Sequence, residues 1–176
     1  MKKQLLKIPF IIFFLILLAF FYLLTIERNP NAIPSNLLNK NVPKFETETL
    51  LKNKTFISSK EFRGETILVN FFATWCKPCR DEHIYIKRFS NENKIRVIGI
   101  NYKDNPEKAK KWLNNLGNPY SNIGIDSDGT IAIDWGVYGI PETFIVNSEG
   151  IIKYRHVGPI TKKTYKKIYT ILGEYK

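Results

Sequence analysis

Residues 67–82 read ILVNFFATWCKPCRDE, and the fold follows from how this stretch changes character along its length. Ile67-Leu68-Val69-Asn70-Phe71-Phe72 is apolar and rich in β-branched and aromatic residues, too short for a stable helix and suited to a buried strand. Ala73-Thr74-Trp75 breaks that run. Cys76-Lys77-Pro78-Cys79 follows, and then a charged, helix-compatible segment from Arg80 to Phe89. A C-x-x-C pair between the end of a strand and the start of a helix is a redox device. The helix N-terminus offers unpaired N–H groups and a partial positive charge, both of which favour a thiolate at Cys76. Two intervening residues let Cys79 attack a mixed disulfide at Cys76 without reorganisation of the chain. Pro78 suits the first helical turn, where its missing N–H costs little.

Other uses of such a pair fit less well. A zinc site needs further ligands, and the chain has only these two cysteines and two histidines. His83 follows Cys79 on the same helix and His156 lies far along the chain, so the usual ligand spacings are missing. Haem attachment needs a histidine directly after the second cysteine, where this chain has Arg80. A purely structural disulfide closing so short a loop would constrain the unfolded chain little.

The surrounding text is more specific. NFFATWCKPCRDEH, VIGINYKDNPEKAKKWLNNLGNPY and DWGVYGIPETFIVNSEGIIKYRHVG, with PSNLLNKNVPKF before them, resemble the membrane-anchored thioredoxin-like proteins of bacterial cytochrome c maturation, the CcmG/DsbE family. The resemblance implies a thioredoxin-like α/β fold, a central mixed sheet flanked by helices, with an N-terminal extension. It implies a redox-active disulfide between Cys76 and Cys79, and a proline, Pro141, that is cis and faces the cysteine pair. Glu142 matches the family's acidic neighbour of that proline, which places it at the rim with a charge that a basic partner would meet. The implied substrate is the disulfide of the apocytochrome c haem-binding motif, or a maturation partner. Re-reduction by a membrane thiol carrier of the DsbD/CcdA type is implied as well, with no cofactor and no metal. A general thiol oxidase or isomerase of exported proteins is the competing enzyme reading, and a thiol-based metallochaperone the competing binding module.

Four further residues carry chemical weight. Trp75 shields the site and offers a flat contact surface. Asn70 stands where thioredoxins have a buried aspartate, and an amide cannot act as a general base. Glu82, three residues after Cys79 and so on the same side of the helix, is the expected substitute; its alternative is a solvated charge beside Arg80 or Lys87. Lys77 should favour the Cys76 thiolate, with its effect screened if it is exposed.

Outward from this centre, Met1 to Lys7 carries three lysines, and Ile8 to Ile26 has no charge at all. As a helix at ~1.5 Å per residue this segment matches the ~30 Å hydrocarbon layer. The residues after it make a poor cleavage site, so it reads as a transmembrane anchor with the amino terminus cytoplasmic and the rest exported. Residues 27–41 form a linker and 42–176 the thioredoxin-like domain. With 44% hydrophobic and 14% aromatic residues, the chain holds material for one compact core. Its formal charge of +11 comes from scattered lysines without an Arg-rich helix, which argues against nucleic acid. The expected order is a hairpin (Phe45–Leu50, Lys54–Ile57), a turn of helix (Ser58–Phe62), the central strand and the Cys76–Phe89 helix. Next come a strand Lys94–Ile100, a helix from Asn105 to Leu116, a strand Asn122–Ile125 and a short helix Gly129–Trp135. A hairpin (Thr143–Val146, Ile151–His156) and a helix Thr161–Leu172 close the chain.

Overall fold

The computed structural model describes residues 7–25, 37–51 and 55–175. The first described segment is helix α1 (Ile8–Thr25), eighteen residues without a charged side chain, long and apolar enough to cross a membrane. The remainder of the expected linker up to Asn36 lies outside the described residues.

The domain is built on strand β3 (Ile67–Phe72), every residue of which is buried. It pairs in parallel with β4 (Arg96–Tyr102), which pairs in parallel with β5 (Asn122–Asp126). On its other side β3 pairs antiparallel with β6 (Glu142–Val146), and β6 with β7 (Ile152–Val157). The five-stranded sheet thus has the order β5-β4-β3-β6-β7. Covered on both faces, β3 has to read as a continuous apolar run.

Strand periodicity divides its side chains between two cores. Leu68 and Phe72 face a layer of helices: α2 (Lys77–Asn91), α3 (Pro106–Leu116) and α5 (Lys162–Gly173). Ile67, Val69 and Phe71 face a second core with Trp135, Phe144 and Phe62. This side is closed by α4 (Thr130–Asp134) and a 3-10 turn (Ser59–Phe62) that follows the hairpin β1 (Glu46–Glu48) and β2 (Phe56–Ser58). Asn70, sharing the parity of Leu68 and Phe72, points towards the helices.

Local signals position most boundaries. Asn105 caps α3 by accepting the Lys108 N–H at 3.0 Å, and Gly117 ends it. Thr161 caps α5 through the Thr164 N–H. Strand β4 begins two residues later than its apolar pattern suggests, because Lys94 takes a left-handed φ of 54° and Ile95 is still bonded to the end of α2. Backbone bonding to the sheet already begins at Asn39, whose N–H donates to Ile152 O at 2.8 Å, ahead of Val42. At the opposite edge Leu50 N–H donates to Ile123 O, so the β1–β2 hairpin caps β5.

Candidate active site

Helix α2 starts at the redox pair because Cys76 serves as its N-cap. The Cys76 Sγ accepts the Cys79 N–H at 3.1 Å, and Pro78 occupies the first turn without interrupting any bond. The two sulfurs form a disulfide with Cα atoms 5.3 Å apart. Cys76 is 5% and Cys79 2% exposed, so Cys76 is the more accessible of the two. Lys77, by contrast, lies in solvent, where its charge is screened.

The loop before Cys76 is held by Asp104. One carboxylate oxygen accepts the Thr74 N–H at 2.6 Å and the Asn101 amide at 3.0 Å; the other accepts the Thr74 hydroxyl at 2.7 Å. Trp75 is 61% exposed, with its indole N–H donating to Lys103 O at 3.1 Å. Its ring therefore stands at the site's edge as a fixed flat surface.

On the opposite side of the sulfurs, the Ile140–Pro141 bond is cis, and the Ile140 carbonyl oxygen lies 3.7 Å from Cys76 Sγ. In the disulfide this sulfur carries no proton, so the approach is a contact and not a hydrogen bond.

Glu82 is 1% exposed, which excludes the solvated helix-face alternative. Its Oε1 accepts from Asn70 Nδ2 at 2.8 Å and its Oε2 from the Ile160 N–H at 2.9 Å. Burial pushes its carboxyl up to about 8, and the two hydrogen bonds offset only part of that penalty. Asn70 accepts in turn from the Tyr120 hydroxyl at 2.8 Å. The departure from an aspartate at Asn70 and the glutamate one helical turn after Cys79 are thus two halves of one contact.

Glu142 requires a correction. Expected at the rim, it is fully buried, on the sheet face opposite α2. Its neighbour Thr143 takes the α2 side, and strand alternation sends Glu142 the other way. There it meets Arg155 of β7 in a bidentate pair, Nε–Oε2 at 2.7 Å and Nη2–Oε1 at 3.0 Å, with both side chains at most 4% exposed. Its Oε1 also accepts the Tyr138 N–H at 3.0 Å, and Arg155 Nη2 donates to Gly136 O at 2.8 Å. The pair therefore ties the loop leading to Pro141 onto the sheet. Arg155 escaped the sequence reading; an arginine inside an alternating strand, KYRHV, was the available signal.

The two histidines are engaged elsewhere. His83 Nε2 meets Gly117 O at 2.8 Å and His156 Nε2 meets Pro159 O at 3.3 Å. Asp104 and Tyr120 both lie in VIGINYKDNPEKAKKWLNNLGNPY, where nothing local marks either as part of the site.

Comparison with known proteins matches this arrangement. Residues 37–172 match the Redoxin family. The thiol:disulfide interchange protein DsbE of Yersinia pestis is 42% identical over 99% of this chain and 93% of its own length. The thiol:disulfide interchange protein CycY of Rhizobium leguminosarum is 41% identical over 80% and 75%, respectively. Among solved structures, a putative DsbE from Chlorobium tepidum superimposes with a TM-score of 0.69 at 20% identity, covering 79% of this chain and 98% of that one. A disulfide at the head of a helix, set on this sheet and shared with such relatives, leaves one assignment: the chain is a thiol–disulfide oxidoreductase of the redoxin family and belongs to its DsbE thiol:disulfide interchange proteins.

Proposed function

We propose that this oxidoreductase works as a membrane-anchored reductant in cytochrome c maturation, its domain on the periplasmic side of the inner membrane. Its substrate is the disulfide of the apocytochrome c haem-binding motif, or that of a maturation partner. A membrane thiol carrier of the DsbD/CcdA type returns it to the dithiol. The motif resemblance and the DsbE and CycY names of the relatives support this reading, and the charge-free α1 supports the anchor.

In the reaction, the Cys76 thiolate attacks one sulfur of the substrate disulfide, and the second substrate sulfur leaves as a thiolate that takes up a proton. Cys79 then loses its proton and attacks Cys76 Sγ. The remaining substrate sulfur departs, two electrons having passed to the substrate and the Cys76–Cys79 disulfide having formed. The observation that carries the reductant role is Glu82. A carboxyl held at about 8 matches the thiol range, so it can take the Cys79 proton during resolution and give it back on re-reduction. Any negative charge it bears, one helical turn from Cys79, disfavours a second one on the sulfurs, which counters the thiolate stabilisation at the helix terminus and leaves the reduced pair the better electron donor.

Equilibration with glutathione should give a potential nearer thioredoxin's ~−270 mV than the ~−120 mV of a strong oxidant. A value above about −160 mV on that scale would remove the reductant role. Cys79→Ser, which cannot resolve its mixed disulfides, should capture an apocytochrome c or a maturation protein; capture of unrelated exported proteins would favour a general oxidase. In Glu82→Gln the potential should become more oxidising, and an unchanged potential would release Glu82 from this part. A reporter active only outside the cytoplasm, fused after Lys176, should be active.

A further inference from the structure

The buried contact behind Cys79 extends one residue further than the exchange reaction needs. Asn70 lies opposite Gly99 in the β3–β4 register. A Cβ on Gly99 would stand 2.9 Å from Phe72 Cε1 and 3.1 Å from two atoms of the Tyr120 ring, so the missing side chain leaves a slot that this ring fills. The ring stacks on Phe72 with centroids 4.8 Å apart, and Asn118 Oδ1 holds the Tyr120 N–H at 2.9 Å. The hydroxyl is thereby aimed at Asn70 Oδ1. The Asn70 Nδ2 spends its two hydrogens on Glu82 Oε1 and on Thr143 Oγ1, at 3.1 Å. Every polar atom of the Asn70 side chain has a partner, and the chain of donors runs in one direction from Tyr120 to Glu82.

We propose that Tyr120 is a positioning residue for thiol–disulfide exchange: its hydroxyl, acting through the Asn70 amide, governs whether Glu82 holds a proton. This rests on the reading of Glu82 as the proton partner of Cys79. The arrangement seen favours an ionised Glu82, since both its oxygens accept and a carboxylate is the stronger acceptor. When the Cys79 proton arrives, either oxygen can take it and keep its present bond, because a carboxyl oxygen that bears a proton retains a lone pair, but the neutral carboxyl accepts more weakly. No proton passes along Asn70 or Tyr120; only the strength of the hydrogen bonds changes with the charge on Glu82.

The sign follows from the direction seen. A hydroxyl donating to the amide oxygen makes the amide a better donor, which favours the carboxylate. Removing it makes Glu82 hold its proton to higher pH. The other titratable groups facing this cluster are His83 of α2, its ring centroid 6.4 Å from that of Tyr120, and His156 of β7, across from Thr143. Burial lowers both, so they are neutral where Glu82 titrates, while Tyr120 itself is pushed upwards and stays protonated.

The test uses the oxidised full chain, in which the cysteines do not titrate. The Glu82 carboxyl and the Tyr120 Cζ are followed by carbon NMR. In the parent protein the Tyr120 signal should titrate with the Glu82 midpoint; a Tyr120 signal flat through that midpoint overturns the proposal without any variant. Tyr120→Phe keeps the stack on Phe72, and should raise the Glu82 midpoint by about half a unit, roughly a threefold gain in proton affinity. In an Asn70→Ala background the same change should produce no shift. An unmoved midpoint in Tyr120→Phe, or a shift that survives in Asn70→Ala, overturns the relay. The Glu82 reading fails on a separate result, namely pH-independent resolution by Cys79 in Glu82→Gln, so the two failures are distinguishable.

Discussion

Two glutamates are sealed inside this domain on opposite faces of one sheet, and they behave as different chemical objects. Glu142 has a guanidinium against both its oxygens, while Glu82 has only an amide and a backbone N–H. Dipoles offset part of the cost of burying a charge, so Glu82 answers burial by keeping its proton. A full countercharge makes the carboxylate a fixture. The first arrangement suits proton traffic beside a thiol, the second suits a clamp on the loop that carries Pro141. Burial alone therefore says nothing about role; the partner decides.

The hardest blow to this contrast is Arg155→Met. It leaves Glu142 buried without a countercharge, and urea unfolding should show a loss of about 3–5 kcal/mol. Adding Glu142→Leu should recover much of it, because no uncompensated charge remains. A single variant within ~1 kcal/mol of the parent would mean the pair is not a clamp.

Glu82 gives the next largest effect, and its sign is opposite. Its native value of about 8 lies above the ordinary 4.5, so between these pH values the folded protein holds a proton that the unfolded chain has released. Stability is then full below the lower value and falls as pH rises towards the upper one, at up to ~1.4 kcal/mol per pH unit. Over the window the loss should reach roughly 2–4 kcal/mol after relaxation around the charge. Glu82→Gln should erase this slope and be the more stable protein at the alkaline end. Parallel pH–stability curves for the two would contradict the raised value.

Arg155→Lys sharpens the comparison by keeping the charge and removing the fork. Loss of the bidentate geometry and of the bond to Gly136 should cost about 1–2 kcal/mol, and should slow reduction of a peptide disulfide more than that of a small model disulfide. Equal slowing would detach the clamp from substrate positioning. The smallest change is expected from Thr143→Val, which removes one acceptor of the Asn70 amide and should cost about 1 kcal/mol by thermal unfolding.

What was legible in the sequence was local. Strand β3 announces itself by an unbroken apolar run, α3 by Asn105-Pro106 and Gly117, and the redox helix by its cysteines, because each signal acts within a few residues. Glu82 was legible for the same reason, being one turn from Cys79. Glu142 was misplaced because its surroundings depend on which face β6 presents and on an arginine across the β6–β7 hairpin. The pairing register that brings Arg155 there is not written in either residue's neighbourhood. Tyr120 is harder still: its hydroxyl reaches Asn70 only because Gly99, on a third segment, makes room.

The cap of α2 has a consequence of its own. The atom that closes the first turn of this helix is the sulfur that reacts, so structure and chemistry share one acceptor. A thiolate draws the Cys79 amide more strongly than a disulfide sulfur does, since a charged acceptor makes the stronger bond. A sulfur engaged with a substrate must also swing to meet its new partner. The amide hydrogen of Cys79 is thus a built-in gauge, and its solvent exchange should read out, turnover by turn, whether the protein is loaded with electrons, joined to a client, or spent.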